Sequence, residues 1–133
     1  QRVQGLQEGL GADAVVHVHE GLPNRASGMA GVEALLAAHP GIGAVVCFND
    51  LVAAGAYAAL SGAGRRIGED IAVIGFDNIP ETSAWTPPLT TVELYPRELG
   101  ARAAKALLER IDNAGPGAES VLIAPRLISR SST

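Results

Sequence analysis

Continuous apolar runs that end in short polar pairs set the pattern of this chain. Ala44-Val45-Val46-Cys47-Phe48 runs into Asn49-Asp50, and Ile71-Ala72-Val73-Ile74-Gly75-Phe76 runs into Asp77-Asn78. Uninterrupted β-branched and apolar runs of this length predict strands buried on both faces, the habit of a parallel sheet covered by helices. Between them, residues 51–62 predict a helix ended by Gly62 and Gly64. Upstream, Arg2 to Leu10 is a short helical pattern closed by Gly11, and Val15, Val16 and Val18 predict a strand over Ala14 to Val18. Pro23-Asn24 marks a loop, and Ser27 is placed to cap a helix that Pro40-Gly41 stops at about His39. Downstream, a long loop from Asp77 to Pro87-Pro88 precedes a strand over Thr90 to Leu94. Pro96 then sits in the first turn of a helix that runs to about Ile111, where its missing N–H costs little. Asn113 to Gly117 reads as a linker, with short strands over Val121 to Ile123 and Arg126 to Ile128. Helices and strands alternate to about residue 76, so the fold class is α/β, a parallel sheet flanked by helices with right-handed crossovers. Beyond residue 92 the pattern thins and is less self-sufficient.

The chain of 133 residues has room for one domain with a real core. Apolar residues make up 47% and charged residues 18%, which excludes a disordered chain. The formal charge is −4 with no block of Lys or Arg, so this segment is not expected to touch nucleic acid itself. No apolar stretch approaches the roughly 20 residues that cross a bilayer, and no membrane partner is expected. Gln1-Arg2-Val3-Gln4 opens directly into an amphipathic pattern, which reads as an internal start without a leader. Cys47 is the lone cysteine, so no internal disulfide forms and a reduced, cytoplasmic setting is the expectation.

Several chemistries fail on spacing. Gly9-Leu10-Gly11 precedes a strand where a dinucleotide fingerprint follows one, and there is no GxxxxGK or GxSxG. His17 and His19 alternate on one predicted strand with no third ligand at a useful spacing, so no metal is expected. Asp50 at a strand end resembles a phospho-acceptor, but the earlier strand ends in His17-Val18-His19-Glu20 and offers no acidic cluster for Mg²⁺. No catalytic residue, enzyme activity or cofactor is proposed by these residues. In open parallel sheets, ligands bind beyond the carboxyl ends of the strands. Asn49 and Asp77 stand at two such ends, which points to a small polar ligand held by hydrogen bonds. Each has a structural alternative: Asn49 as a strand-end cap, Asp77 as the closure of an Asx-type turn. Asp50, just before a helix, suits the free N–H groups and positive end of that helix.

Four motifs in order carry a family resemblance. Asn49-Asp50-Leu51-Val52-Ala53-Ala54-Gly55-Ala56, Ile67-Gly68-Glu69-Asp70 with Ile71 to Asn78, Pro87-Pro88-Leu89-Thr90-Thr91-Val92, and the ending Pro125 to Thr133 together resemble the lactose-repressor (LacI/GalR) family of transcription regulators. The resemblance implies a fold like periplasmic sugar-binding proteins of type I: two α/β subdomains with an effector in the cleft between them. This chain resembles the carboxyl-terminal part of that effector-binding core. Residues 1–92, with 125–133 returning, would form one subdomain, and residues 93–124 would cross over to pack on an amino-terminal subdomain not present in this sequence. Operator DNA would be bound, as a homodimer, only through a helix-turn-helix headpiece that this sequence does not contain.

The resemblance also assigns roles. The residue matching Asp77 accepts hydrogen bonds from sugar hydroxyls or another effector group, the one matching Asn49 lines the same cleft, and the one matching Arg2, in an RxxG pattern with Gly5, reaches the ligand from a strand-to-helix loop. A planar guanidinium can fork two ligand oxygens. Leu94 stands where some sugar-responsive members carry a more polar residue. Trp85 matches a usually aromatic position near the subunit contact, so it is read as dimer interface or packing. The small-residue faces around Met29 and Ala54 permit close helix approach, either across a dimer axis or inside the subdomain. The expected partners are a small sugar-like effector and a second copy of the chain. The rival reading is an extracytoplasmic sugar-binding component of a transport system.

Overall fold

The computed structural model describes residues 2–112, 120 and 122–133. In chain order these form α1 (Arg2–Leu10), α2 (Arg25–Ala38), β1 (Ala44–Val46), α3 (Asp50–Gly62), β2 (Ala72–Ile74), a 3-10 turn (Pro80–Ala84), β3 (Thr91–Glu93), α4 (Pro96–Asp112) and β4 (Arg126–Ile128).

The predicted parallel pair is present. β1 and β2 align Ala44 with Ala72, Val45 with Val73 and Val46 with Ile74. The other edge of β2 is covered by the later chain: Gly75 N donates to Thr90 O (2.9 Å), Asp77 N to Val92 O (2.9 Å) and Val73 N to Ser132 O (2.8 Å). β2 is therefore a central strand, and the carboxyl-terminal residues are stitched into the same layer. Ser132 is sealed there, with its hydroxyl donating to Val73 O (2.6 Å) and accepting from Thr90 N (2.8 Å). β3 continues past the layer and pairs antiparallel with β4, Val92 opposite Leu127.

The core lies between this sheet and the α2–α3 pair: Val45, Cys47 and Val73 face Val32, Ala53, Ala56 and Leu60. Burial pushes the Cys47 thiol up to about 12, with the nearby Asp50 charge adding to the shift. The two helices touch at glycines. A Cβ on Gly28 would overlap the Val52 carbonyl, and one on Gly55 would overlap the Arg25 carbonyl. The small-residue faces are thus at least partly used for packing inside the chain.

Three local expectations are corrected. Asn24, not Ser27, caps α2, its side chain accepting from Ser27 N (2.9 Å), while the Ser27 hydroxyl accepts from Leu22 N (3.2 Å). Residues 14–18 form no strand, and Val15 is 80% exposed. β-propensity only favours extension, and a strand needs a neighbouring edge; β1 is paired with β2 alone. Residues 122 and 123 likewise join no ladder, while Val121 and the linker from Asn113 to Gly117 lie outside the described residues. The helix predicted after Pro96 is present as α4, but it buries no residue; Leu99, Leu107 and Ile111 are 53–68% exposed.

Candidate functional site

The carboxyl ends of β1 and β2 gather the three residues read as ligand-binding. Beyond β1, Asn49 is extended (φ −153°) and caps α3, its Oδ1 accepting from Val52 N (2.8 Å). The cap alternative holds for that oxygen. The Asn49 amide nitrogen makes only a long contact with Pro23 O (3.5 Å) and keeps capacity to donate.

Beyond β2 the backbone turns left-handed at two consecutive non-glycine residues, Asp77 (φ +106°) and Asn78 (φ +52°). For an L-residue this costs free energy and persists only where the surroundings over-determine it. The Asp77 backbone is held by its N–H to Val92 O. Its half-buried carboxyl accepts no hydrogen bond among the described residues. Burial first, and then the Asp50 charge, pushes that carboxyl above its ordinary range, while the Arg2 guanidinium pulls it back.

Arg2 opens α1 and reaches the same edge. Its Nη1 donates to Phe48 O (2.5 Å), and its guanidinium carbon lies 4.0 Å from the Phe76 ring centroid and 4.7 Å from that of Phe48. Two aromatic rings and one carbonyl therefore hold the cation beside Asp77. Phe48 itself is 60% exposed.

Asp50 has a different job from either sequence expectation. It occupies the first turn of α3, where a carboxylate is favourable, but the cap is Asn49 and the Asp50 hydrogen bonds run sideways. Its Oδ2 accepts from Ile79 N (2.9 Å) and its Oδ1 from the Thr91 hydroxyl (2.7 Å), with the side chain completely sealed. Gly75 is required beneath it, because a Cβ there would overlap Asp50 Oδ1. A sealed carboxylate cannot take a phosphoryl group, which closes the receiver reading.

Asn78, Glu93 and Arg130 form a network that sequence reasoning missed. Asn78 Nδ2 donates to Glu93 Oε2 (2.6 Å), and Arg130 Nη2 donates to Asn78 Oδ1 (2.8 Å). Arg130 Nη1 also donates to Leu89 O (2.6 Å) and the Thr82 hydroxyl (3.2 Å). Glu93 Oε1 accepts from Tyr95 N (2.9 Å), and these donors, the Asn78 amide first, hold the Glu93 carboxyl below its usual range. The only signal for this network was the position of Asn78 beside Asp77; partners so far along the chain leave no local pattern.

The three residues read as dimer-forming separate into two places. Trp85 meets Tyr57 edge to face (5.0 Å, 62°), and the Tyr57 hydroxyl donates to Pro87 O (3.0 Å). Trp85 and Ala54 line one groove of about 1000 Å³ over the outer face of α3, together with Leu51 and Arg25. Met29 is 43% exposed on α2 and lies outside that lining. His17 stacks on His39 (3.4 Å, 10° between planes) and not with His19. Stacked rings do not converge their nitrogens on one ion, and no group of three metal-ligating side chains occurs among the described residues.

Known proteins share this architecture. The family profile of the periplasmic binding protein-like domain matches residues 1–133. An HTH-type transcriptional repressor PurR from Pasteurella multocida is 42% identical over 89 residues, covering 67% of this chain and 27% of that protein. A LacI family transcriptional regulator from an Arthrobacter species, solved in complex with lactose, superposes with a TM-score of 0.83 at 39% identity, covering 98% of this chain and 49% of that one. A LacI family regulator from Enterococcus faecium with bound ribose gives a TM-score of 0.76 at 34% identity, over 83% of this chain and 40% of that one. The chain thus spans about a quarter of the curated relatives' length and about half of the solved lactose-bound regulator.

Proposed function

The chain belongs to the lactose-repressor (LacI/GalR) family, and on that premise we propose that it is the effector-sensing, dimer-forming part of a DNA-binding regulator that responds to a sugar-like metabolite. One observation carries this reading: a half-buried Asp77 carboxyl, on left-handed backbone, accepts no hydrogen bond from the described residues and sits beside a restrained cation at the sheet's carboxyl edge. A carboxylate is an acceptor, so its natural partners are ligand hydroxyls. A charge-assisted bond of this kind contributes roughly 1.5–3 kcal/mol. Asn49 Nδ2 adds a donor, and the remaining Arg2 N–H groups add a fork for a ligand oxygen. Similar regulators are solved with lactose and ribose, which supports a neutral sugar.

The effector would bridge this wall to an amino-terminal subdomain. Residues 1–92 with 125–133 make up one subdomain on this reading, and 93–124 cross to the other, whose surface would cover the exposed apolar stripe of α4. A ligand that binds one inter-subdomain angle better shifts the population of DNA-competent dimers. Operator contact belongs to a headpiece outside this sequence, and the working compartment is the cytoplasm. The groove lined by Trp85 and Ala54 is the proposed dimer surface, and Met29, outside that lining on α2, is a separate candidate contact. The transport alternative is not favoured, because the relatives matched are repressors and regulators.

Calorimetric titration of the full-length protein with lactose, ribose and cellobiose tests the assignment. Asp77→Ala should weaken binding of the responsive sugar by roughly 10- to 100-fold, the loss of one charge-assisted bond, and leave operator affinity unchanged. Wild-type sugar affinity in the variant, or no sugar bound by the wild type, refutes it.

A further inference from the structure

We propose that Glu93 is a positioning residue that couples the effector wall to the direction of α4, by tying the turn that carries Asp77 to the turn from which that helix departs. The inference rests on the reading of Asp77 as an effector contact and adds to it a route by which that contact is felt elsewhere.

Among the described residues, the non-glycine positions with positive φ are Asp77, Asn78 and Tyr95 (φ +51°). They lie on two different turns, one after β2 and one after β3, and a single carboxylate holds both. Glu93 Oε2 takes the Asn78 amide and Oε1 takes the Tyr95 N–H. Tyr95 is the start of α4, since its carbonyl accepts from Leu99 N (3.0 Å).

Displacement at Asp77 and Asn78 has a preferred outlet. The Asn78 amide is bonded at both ends, with Arg130 on its oxygen and Glu93 on its nitrogen, so its rotation would break one bond or the other. The Arg130 side is anchored: its guanidinium is bonded to Leu89 O and Thr82, both completely buried residues. The Glu93 side is softer, because Glu93 and Tyr95 are half-exposed where Leu89 and Thr82 on the Arg130 side are sealed. The backbone N–H groups of Asp77 and Asn78 are fixed to Val92 O and the Thr91 hydroxyl of β3. The side-chain route by which a shift of this turn reaches the first turn of α4 therefore runs through Glu93. Glutamate suits the task because it offers one oxygen to each turn. Glutamine keeps an acceptor for Tyr95 but presents an NH₂ group to the Asn78 amide, so it cuts one link and spares the other.

Backbone hydrogen exchange in the ligand-free full-length protein tests this. Asp77→Gly relaxes the left-handed constraint at the wall, and it should change exchange at the Tyr95 and Leu99 amides by about fivefold or more, a shift on the scale of one hydrogen bond. In a Glu93→Gln background the same substitution should change those amides less than twofold. Asn78→Ala cuts the link from the other end and should reproduce the Glu93→Gln result. Core amides at Val45 and Val73 report in the same experiment that each variant is folded. A Glu93 that merely braces its own turn would not make Tyr95 sensitive to residue 77. An unchanged Tyr95 amide in Asp77→Gly, or an equal change with Glu93→Gln present, overturns the proposal. No sugar enters this cycle, so it can fail while the titration of Asp77→Ala succeeds, and the reverse.

Discussion

Replacing Asp50 by alanine removes a sealed carboxylate whose two oxygens pin the chain after β2 and β3 to the start of α3. Hydrogen bonds to a charged acceptor contribute roughly 1.5–3 kcal/mol each, so the gross loss is about 3–6 kcal/mol. Against this, the variant no longer holds a carboxylate out of water, which recovers part of the loss. It also leaves the Ile79 N–H and the Thr91 hydroxyl without their acceptor, which restores some of the cost. A net destabilisation of about 3–4 kcal/mol is expected. With a urea dependence of about 2 kcal/mol per molar, the unfolding midpoint should fall by roughly 1.5–2 M. Asp50→Asn keeps the shape and one acceptor, so it should lose about half as much. Thr91→Val in the Asp50→Ala background should cost clearly less than in the wild type, with a coupling of about 1–2 kcal/mol. Urea unfolding followed by far-ultraviolet circular dichroism measures all four variants. A midpoint shift below about 0.5 M for Asp50→Ala, or strict additivity with Thr91→Val, would refute the pinning argument.

Ser132→Ala should cost about 2 kcal/mol, because the buried hydroxyl serves both Val73 O and Thr90 N. The thermal midpoint should drop by roughly 5–10 °C, and a neutral result would show that the carboxyl-terminal tail is dispensable to the sheet. For Asp77, a carboxyl raised above its ordinary 3.8 by burial binds more protons folded than unfolded between that value and the raised one, so stability falls as pH rises through the interval. Asp77→Asn should therefore melt higher than the wild type at neutral pH, with a gain that shrinks as pH falls to 3.8; a gain constant with pH would contradict the assigned shift.

The legible part of the molecule was the part written in local pattern. Uninterrupted apolar runs located β1 and β2, and the polar residues that end them marked the edge where Asn49, Asp77 and Arg2 gather. Gly62, Pro40 and Pro96 placed helix boundaries to within a residue or two of α3, α2 and α4. Failures came where a residue's fate depends on a distant neighbour. Val15 and Val18 have strand propensity, but propensity supplies no partner edge. Ser27 and Asn24 are both competent caps, and only the geometry of the incoming loop chose Asn24. Asp50 looked like a helix-terminal carboxylate, yet its partners Ile79 and Thr91 belong to another part of the chain. Glu93 and Arg130 are unremarkable in composition and spacing, and their roles exist only once β3 and β4 pair.

The candidate site is best understood as the place where hydrogen bonding stops being complete. Asp50 is satisfied on both oxygens, Asn78 on both ends of its amide, and Asn49 on its oxygen. Each of these satisfied groups serves the fold, fixing where two strands end and a helix begins. Asp77 stands among them with no hydrogen-bond donor from the described residues, on backbone that an L-residue rarely adopts, with its charge opposed by burial and by Asp50. The backbone and the opposed charge are unfavourable to the folded state, and they are offset by Arg2, on a helix with no buried residue, and by the Asp77 N–H bond to Val92 O. A side chain whose charge costs stability, and which bonds no described residue, is what a site requires when its partner is a ligand. Hydroxyl donors at Asp77 would supply the missing partners, and the rigid surroundings would convert that supply into a preference for one posture of the turn. Recognition and response would then share one residue, with Asn78 and Glu93 carrying the consequence to the helix that leaves the sheet.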